Sequence, residues 1–373
     1  LQTDENKAKE EGVDDAKPLF SIGLIADTQY AEAETGQNYL KTRTRRYRQA
    51  LKITQNAIAT WNDETECMAQ VRPSLIMHLG DVIDLCNAAK NESVKAMNAI
   101  MAEVDKFKPF KPQQLLQSLQ VQQNKPKAQQ SDENKEAEEE DEEAEQKEPF
   151  GASAKYPFYH NCLGNHEVYN FDRKQLQKYQ HCAAYDESLD EYRYYYSFRP
   201  FDGFLFIVLD AFVLSVHGYE YSGNKHAYYQ QSTELLKRHN PNENKNIPPT
   251  ASDDSEFDVE RYSAYNGGFG EKQLKWLENE LESAAQDGQT KVFIFSHVPL
   301  MSNNEKAPYE ILAWDYKQCL RVIRKYASVV KAYFAGHEHD GDEKRVDGVW
   351  HTTLEGAIES DEGVDCFVTL YFF

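Results

Sequence analysis

The chain has 373 residues, of which 40% are hydrophobic and 12% aromatic, so it holds enough apolar material for a sizeable core. Its formal net charge of −21 argues against nucleic acid or an anionic membrane surface as a partner, because both require basic patches on the protein. Residues 131–148 hold eleven acidic residues and two lysines, a net of −9, which leaves −12 for the rest of the chain.

The six cysteines show no C-x-x-C spacing, and a chain this long with so few cysteines does not depend on a disulfide framework. We therefore expect them to be reduced. The first twenty residues contain no apolar stretch typical of a signal peptide, and no run approaches the roughly 18 apolar residues of a spanning helix. These features predict a cytoplasmic protein with no membrane partner.

The first half of the chain alternates apolar strand-like runs with amphipathic helices. SIGLIAD at 21–27 is typical of a buried strand that ends in an aspartate, and SLIMHLGD at 74–81 is a second one. The helical spacing of apolar residues predicts helices over 43–61 and 92–107. This strand–helix–strand alternation indicates an α/β layered fold with crossover connections.

Two segments differ from this pattern in composition. Residues 1–19 are mostly charged and polar, and 111–150 is a low-complexity acidic run rich in Gln, Lys and Glu. Neither can bury enough apolar surface to offset the entropy lost on folding. We predict a disordered N-terminal segment, one folded domain over 20–373, and a disordered insertion within that domain. The sequence gives no function for the insertion.

The second half returns to strands. YPFYHNCLGNHE at 156–167 resumes the strand pattern, and 192–211 predicts two antiparallel strands joined at Asp202-Gly203. Residues 239–258 are loop-like. We predict two more helices and four more strands, the helices over 270–285 and 315–327 and the strands over 291–299, 331–340, 349–357 and 366–373. The last two strands are expected to complete a second sheet, which gives an αββα sandwich of two mixed β-sheets flanked by helices.

Five short segments combine oxygen or imidazole side chains with an apolar lead-in. They are Asp27-Thr28-Gln29, Gly80-Asp81-Val82-Ile83-Asp84, Gly164-Asn165-His166-Glu167, Ser296-His297-Val298-Pro299 and Gly336-His337-Glu338-His339. Any one of them alone is more often a turn, a helix cap or a pair of surface histidines. Together they supply the carboxylate, amide and imidazole ligands that a pair of divalent ions needs to hydrolyse a phosphate ester. This mixture suits Mn, Fe, Zn or Co better than Mg or Ca.

The order of the five segments resembles that of the calcineurin-like metallophosphoesterase family. The resemblance implies the αββα fold of that family and a two-metal phosphohydrolase, in which Asp81 bridges both ions. It implies two sets of terminal ligands, which are Asp27, Gln29 and His339 for the first ion and Asn165, His297 and His337 for the second. His166 would stabilise or protonate the leaving oxygen, and Asp84 would orient His166.

One residue that differs from the usual family pattern indicates a particular subfamily. The first segment ends in Gln29, where the broader family usually has histidine, and a neutral amide oxygen shifts the preference towards Mn and away from Zn. With Gly164-Asn-His-Glu-Val-Tyr-Asn170 and Asn266-Gly-Gly-Phe269, the chain from about residue 20 onwards is similar to the manganese-dependent ADP-ribose/CDP-alcohol diphosphatases. That similarity implies two Mn²⁺ ions and hydrolysis of a pyrophosphate with release of a nucleoside monophosphate. Members of that family have also been linked to cyclic ADP-ribose.

The same resemblance implies two contacts to the substrate. Arg45 would hold a phosphate through its planar fork of donors, and Tyr39, where relatives have Phe, would be a platform for the nucleobase. The Asn266-Gly267-Gly268 segment has two possible interpretations. It is either a loop that lines the substrate site or a turn before the next helix. Glu338 is expected to point away from the metals on a strand.

Two alternative functions are left open. One is a hydrolase of the same fold with another substrate, either a phosphomonoesterase or a cyclic-nucleotide phosphodiesterase. The other is a non-catalytic binding scaffold, although such proteins can lose ligands and this chain has all seven together with His166 and Asp84. We expect the histidines outside the five segments to be structural or surface residues, namely His78, His160, His181, His217, His226 and His351.

Overall fold

The computed structural model describes residues 17–38, 41–111, 150–151, 157–188, 190–223, 225–250, 257–304 and 309–373. Most of the predicted disordered segment at 1–19 and nearly all of the predicted insertion at 111–150 lie outside these residues. The disorder predicted there stays a prediction. Tyr39 also lies outside them.

Sixteen strands are found in the described part of the chain, and several are very short. In chain order they are β1 Phe20–Ile25, β2 Gly36–Gln37, β3 Thr44–Arg45, β4 Pro73–His78, β5 Phe150–Gly151, β6 Tyr159–Asn161, β7 His181–Cys182, β8 Ala184–Asp186, β9 Glu191–Arg193, β10 Tyr196–Phe201, β11 Phe204–Val208, β12 Lys291–Phe295, β13 Val330–Ala335, β14 Asp340–Val346, β15 Val349–Glu355 and β16 Val368–Phe372.

The helices of the described residues range from one to five turns. They are α1 Tyr47–Asn62, α2 Cys86–Ala89, α3 Ser93–Val104, α4 Asn165–Asn170, α5 Arg173–Leu176, α6 Ala227–His239, α7 Gly270–Asp287 and α8 Tyr316–Lys325. A 3₁₀ helix of one turn, Ala357–Glu359, follows β15. No helix of the described residues is long and apolar enough to cross a membrane.

Two sheets carry the fold. The first has the strand order β16-β1-β4-β6, with β16 antiparallel to β1 and the other neighbours parallel. The second has the order β10-β11-β12-β13-β15-β14, in which only the two edge strands are antiparallel to their neighbours. Both sheets are therefore mixed, as the sequence predicted.

Alternate residues of β1 show how the layers are built. Phe20, Ile22 and Leu24 point to one face and join an aromatic-rich cluster with residues of β11, β12 and β13, so the two sheets pack face to face. The opposite face carries Gly23, and a Cβ there would lie 2.6 Å from the Trp61 ring of α1. The glycine therefore lets α1 pack directly on the outer face of the first sheet.

The outer face of the second sheet is covered by α7 and α8. Leu277 and Leu281 of α7 and Leu320 of α8 are buried in the cluster that also contains the β12 residues Val292 and Ile294. Since β12 alternates between this cluster and the inter-sheet cluster, its two faces are both buried, as expected of a central parallel strand. The αββα sandwich predicted from the sequence is confirmed.

Several sequence predictions about elements were wrong in detail. The helix predicted from residue 43 begins at Tyr47, because Thr44–Arg45 pairs with Gly36–Gln37 as a small hairpin. The strand predicted to run to residue 340 ends at Ala335, and 336–339 forms a loop before β14. The C-terminal strand does not join the second sheet but lies antiparallel to β1 in the first.

Four helices of the described residues were not predicted, namely α2, α4, α5 and α6, and α6 is the longest of them. α6 lies just before the polar stretch at 239–258, and it buries Leu236 and Ser232 on one face. Residues 240–250 of that stretch are irregular, as predicted, and 251–256 lie outside the described residues. The hairpin predicted at Asp202-Gly203 is confirmed by the antiparallel pairing of β10 with β11, and Gly203 has a φ of 78°.

Candidate metal centre

The seven predicted ligands lie just beyond the C-terminal ends of five parallel strands. Asp27 and Gln29 follow β1, Asp81 follows β4, Asn165 follows β6, His297 follows β12, and His337 and His339 follow β13. Parallel strands place their carboxyl ends at one edge of a sheet, and the two sheets are stacked with these edges together. Residues more than 300 positions apart are thereby brought to one place.

The backbone at this edge is held in conformations that L-residues rarely adopt. Asp27, Gln29, Asp81 and His337 have φ values of 50°, 42°, 57° and 72°. Left-handed conformations at residues other than glycine cost of the order of 1–3 kcal/mol each and cluster at functional sites. Four of the seven candidate ligands therefore have their direction fixed by strained turns that the rest of the fold stabilises.

The first half of the centre is formed by Asp27, Gln29, Asp81 and His339. His339 Nε2 lies 3.4 Å from Asp27 Oδ1, and Gln29 Nε2 lies 3.0 Å from Asp81 Oδ2 and 3.2 Å from His339 Nε2. Gln29 Oε1 is buried and has no hydrogen-bond partner among the described residues. The amide nitrogen of Gln29 is the atom that faces Asp81 and His339, so the side-chain amide must turn by 180° for Oε1 to bind a cation shared with these residues.

The second half is formed by Asp81, Asn165, His297 and His337. His297 Nε2 lies 3.1 Å from Asn165 Oδ1, 3.2 Å from His337 Nδ1 and 3.5 Å from Asp81 Oδ2. Ligand atoms of Asp27, Asp81 and His297 all lie within 4.8 Å of one another. Asp81 belongs to both halves, so the residues present fit two divalent cations that share this carboxylate.

In each of the three histidines, the ring nitrogen that faces away from the centre contacts a hydrogen-bond acceptor. His297 Nδ1 contacts Leu79 O at 2.8 Å, and His337 Nε2 contacts Asn266 Oδ1 at 2.7 Å. His339 Nδ1 lies 3.0 Å from Glu359 Oε1. Such outer partners fix the tautomer and leave the other ring nitrogen free to bind a metal.

The centre carries protons in the absence of cations. Burial disfavours the charged form of His297, but Asp81 outweighs it and raises the pKa of His297 to about 9. In the same way, hydrogen bonds to Asp27 and Glu359 overcome burial and raise the pKa of His339 to about 10. Burial lowers the pKa of His337 to about 3, so that imidazole is neutral. Cations that bind here would replace protons.

His166 lies beside the centre without belonging to either half. It is in the first turn of α4, where its backbone N–H donates to Asp81 Oδ1 at 2.8 Å, and its Nε2 lies 3.8 Å from Asp81 Oδ2. Leu85 N–H donates to Nδ1 at 2.9 Å, so the neutral ring carries its proton on Nε2, facing the centre. The carboxylate of Asp84 lies 3.4 Å from the same Nδ1.

Glu167, to which the sequence analysis gave no role, holds two of the loops together. Its fully buried carboxylate accepts the backbone N–H of Asp81 at 2.8 Å, of Val82 at 2.7 Å and of Gly164 at 2.8 Å. Burial, reinforced by the charge of Asp81, raises the pKa of Glu167 to about 7. This side chain fixes the second and third segments relative to one another.

Of the two residues predicted to bind substrate, only Arg45 is among the described residues. Arg45 is close to the centre, with its Nε 3.3 Å from Glu359 Oε1 and one terminal nitrogen 3.6 Å from Asp84 Oδ2. Tyr39 lies outside the described residues. Glu338 lies in a loop and not on a strand, and burial raises the pKa of its carboxyl group.

Sequence reasoning missed the partners of the ligands. Asn266 was left open between a substrate loop and a turn, and its side chain in fact contacts His337 and donates to Arg261 O and Glu310 O. Glu359 was not singled out, because it stands in no recognisable motif. Neither could be found from local pattern, since each lies far along the chain from the histidine that it contacts.

A sandwich of this topology with a dinuclear ligand set at the strand ends defines a metallophosphoesterase. The model of the calcineurin-like phosphoesterase family matches residues 20–341, and the chain belongs to this family of metal-dependent phosphohydrolases. Within it, the chain is 34% identical over 370 residues to the manganese-dependent ADP-ribose/CDP-alcohol diphosphatase of Homo sapiens, covering 96% of this chain and 89% of the relative. The enzyme of the same name from Danio rerio is 32% identical, with coverage of 95% and 93%.

A solved structure supports the same family assignment. The crystal structure of a dimetal phosphatase from Danio rerio matches with a TM-score of 0.71 and 30% identity, covering 96% of this chain and 94% of that one. The resemblance seen in the sequence, both to the superfamily and to the diphosphatases within it, is thereby confirmed.

Proposed function

We propose that the protein is a manganese-dependent hydrolase that cleaves the pyrophosphate bond of ADP-ribose and of CDP-alcohols such as CDP-choline. The products would be a nucleoside monophosphate and a phosphorylated partner. The observation that carries this proposal is the convergence of seven candidate ligand side chains at one edge of the sandwich, in a chain similar over 96% of its length to proteins named for that activity. Cyclic ADP-ribose contains the same pyrophosphate group and is a further candidate substrate.

Asp27, Gln29, Asp81 and His339 are proposed to hold one Mn²⁺, and Asp81, Asn165, His297 and His337 the other. The two ions would lower the pKa of a water molecule and neutralise the charge on the substrate phosphates. The protein contributes the fixed directions of these side chains, because the strained turns and the acceptors behind the histidines prevent them from rotating.

The role proposed for His166 follows from its tautomer. Water attacks one phosphorus, the bond from that phosphorus to the bridging oxygen breaks, and the electron pair stays on the bridging oxygen. The leaving group is a phosphate monoester, whose second pKa is about 6, so it needs no full protonation at neutral pH. A hydrogen bond from Nε2–H of neutral His166 is then sufficient to stabilise it.

This reasoning also bears on the alternative substrates. A phosphomonoesterase acting on alkyl phosphates expels an alkoxide, which does require a proton, and a ring whose Nδ1 accepts Leu85 N–H is less suited to donate one. Asp84 Oδ2 lies 3.4 Å from Nδ1 but cannot accept a hydrogen bond from a nitrogen that already accepts Leu85 N–H. Asp84 is therefore proposed to orient the ring indirectly, because its Oδ1 accepts Cys86 N–H at 2.8 Å and so fixes the loop that carries Leu85.

Two substrate contacts are also proposed. Arg45 has five N–H donors, and its contacts with Glu359 and Asp84 leave others for a substrate phosphate beside His166. Tyr39 is proposed as a stacking platform for the nucleobase on the sequence alone.

A cytoplasmic location is also proposed. Five cysteines of the described residues are free thiols, as expected in a reducing compartment: Cys67, Cys86, Cys162, Cys319 and Cys366.

The test is turnover by the metal-stripped protein with Mn²⁺ or Mg²⁺ added back, on ADP-ribose, CDP-choline, cyclic ADP-ribose, a cyclic nucleotide and an aryl phosphate. Products are separated by chromatography to identify AMP, CMP and the sugar phosphate. His166→Ala is expected to lose about 10²- to 10³-fold in kcat, the cost of one donor to a developing oxyanion. Because His166 is not a ligand, this variant should bind two Mn²⁺ by calorimetry, whereas Asp81→Asn should bind fewer.

Manganese-dependent release of AMP from ADP-ribose, lost in His166→Ala with metal binding retained, would support the proposal. Hydrolysis of the aryl phosphate or the cyclic nucleotide with none of the pyrophosphates would refute the substrate class and leave the dinuclear centre in place. A wild-type protein that binds no Mn²⁺ would refute the centre itself.

A further inference from the structure

Glu359 links the two sheets at the edge of the centre. It lies in the 3₁₀ turn after β15, and the backbone of this turn is bound to the loop that carries Asp27. Ala357 N–H donates to Ala26 O at 3.2 Å, and Ile358 N–H donates to Asp27 O at 3.0 Å. The Glu359 side chain is only 10% exposed, so its carboxylate is held in place by the turn and by its neighbours.

The carboxylate of Glu359 has two partners. Its Oε1 lies 3.0 Å from His339 Nδ1 and 3.3 Å from Arg45 Nε. The same Arg45 lies 3.6 Å from Asp84, and Asp84 lies 3.4 Å from His166 Nδ1. A continuous line of contacts therefore runs from a proposed metal ligand, through alternating negative and positive groups, to the residue proposed to stabilise the leaving oxygen.

His339 differs from the other two histidines of the centre in the charge of its outer partner. His297 and His337 contact neutral oxygens, the carbonyl of Leu79 and the amide of Asn266. Of the three outer partners, only that of His339 is a carboxylate, which makes an imidazole a stronger electron donor to a metal. Its half of the centre also contains Gln29, whose neutral amide is a weaker ligand than an imidazole.

We propose that Glu359 is a positioning residue that sets the Mn²⁺ affinity of the first half of the centre, by fixing the His339 ring and increasing its basicity. In this role it compensates for the weak Gln29 ligand, and Arg45 balances its charge. The inference rests on the proposed function, because it assumes that His339 binds a metal. Losing an outer partner of this kind typically lowers metal affinity by about 10- to 100-fold.

The test uses the full chain, stripped of metal and titrated with Mn²⁺ alone by calorimetry and by electron paramagnetic resonance. Glu359→Gln keeps an acceptor for His339 Nδ1 but removes the charge. Glu362→Gln is the matched control, since it makes the same charge change at an exposed position three residues away. Melting of each variant in EDTA shows whether it is folded, independently of metal.

Wild type and Glu362→Gln are expected to bind two Mn²⁺ ions and to show the resonance of a spin-coupled pair. Glu359→Gln is expected to lose at least 10-fold in affinity for one ion only, so that one equivalent of Mn²⁺ gives the signal of an isolated ion. Glu359→Asp keeps the charge on a side chain one methylene shorter, and we expect it to lose less affinity than Glu359→Gln.

Two unchanged Mn²⁺ affinities in folded Glu359→Gln would overturn the inference while leaving the proposed function intact. If that variant does not fold, Glu359→Ala decides: wild-type affinity at both sites or an equal loss at both would also overturn the inference. A wild-type protein that binds fewer than two Mn²⁺ ions, or that binds two but does not hydrolyse pyrophosphates, would instead overturn the proposed function.

Discussion

The buried ion pair between Arg173 and Asp210 gives a test of the scaffold beneath the centre. Arg173 and Asp210 are 1% and 0% exposed in their side chains and are in direct contact. The guanidinium also donates to Tyr192 O at 3.1 Å and to Phe212 O at 3.2 Å. Asp210 follows β11 and accepts the backbone N–H of Phe212 at 2.9 Å, so the pair anchors the turn at the end of that strand.

Arg173→Met keeps much of the apolar stem but removes the charge and all five donors. Two carbonyl oxygens then lose a hydrogen bond, at about 1 kcal/mol each, and the Asp210 carboxylate remains buried without a counter-charge. Breaking a buried pair from one side costs about 3–5 kcal/mol, and we expect a loss of that size in the free energy of unfolding. Adding Asp210→Asn removes the uncompensated charge and should recover about 2 kcal/mol.

The assay is urea denaturation in EDTA at 25 °C, which excludes any contribution from metal binding. Arg238→Met, at an exposed position of α6, is the control and should change the free energy of unfolding by less than about 0.5 kcal/mol. A loss below about 1 kcal/mol in Arg173→Met would refute the reasoning. So would a double variant that is as unstable as the sum of the two single variants, because no coupling would then exist between the two charges.

Three further predictions concern the centre and the layers around it. Mn²⁺ binding at pH 7 should release about two protons, because His297 and His339 have pKa values of about 9 and 10 in the metal-free protein. The Mn²⁺ affinity should therefore rise with pH up to these values. Calorimetry in buffers of different ionisation enthalpy measures the number of protons released. Gly80→Ala should lose about 1–3 kcal/mol of stability and much of its Mn²⁺ affinity, since Gly80 has a φ of 99° and its added Cβ would lie 2.6 Å from His297 Nδ1. Gly23→Ala should lose about 1–3 kcal/mol on denaturation through overpacking against Trp61, with Mn²⁺ affinity unchanged.

Each of these has a contrary result. Binding without proton release would mean that the two imidazoles are already neutral in the metal-free protein. Wild-type Mn²⁺ affinity in Gly80→Ala would mean that the loop can move without displacing His297. A stability loss in Gly23→Ala accompanied by lost Mn²⁺ binding would mean that the packing of α1 and the geometry of the centre are not independent.

The order of elements and the identity of the ligand segments could be read from the sequence, because both depend on local pattern. A buried parallel strand is a short apolar run, and a polar residue at its end is visible whatever the strand pairs with. That these segments, scattered from Asp27 to His339, share a site was implied by the resemblance of their order to that of the metallophosphoesterases. The helix over 270–285 and the hairpin at Asp202-Gly203 follow from the same kind of local signal.

Pairing between distant segments could not be read in this way. An apolar run at 366–373 is a strand in either sheet, and only the free edge of β1 determines that it joins the first. Thr44–Arg45 has helical neighbours, yet tertiary pairing with Gly36–Gln37 makes it extended. Local propensity is a weak preference, and tertiary contacts override it.

The same division holds within the site. The side chains that could bind metal were identifiable from the sequence, because carboxylate, amide and imidazole groups are properties of the residue type and their segments resemble those of a known family. The outer partners of these side chains depend on the folded chain: Glu359 contacts His339, Asn266 contacts His337, and Leu85 N–H donates to the ring of His166. Hydrogen bonds of this kind join residues that no sequence pattern relates, because they form only after strands have paired and brought their loops together at one edge.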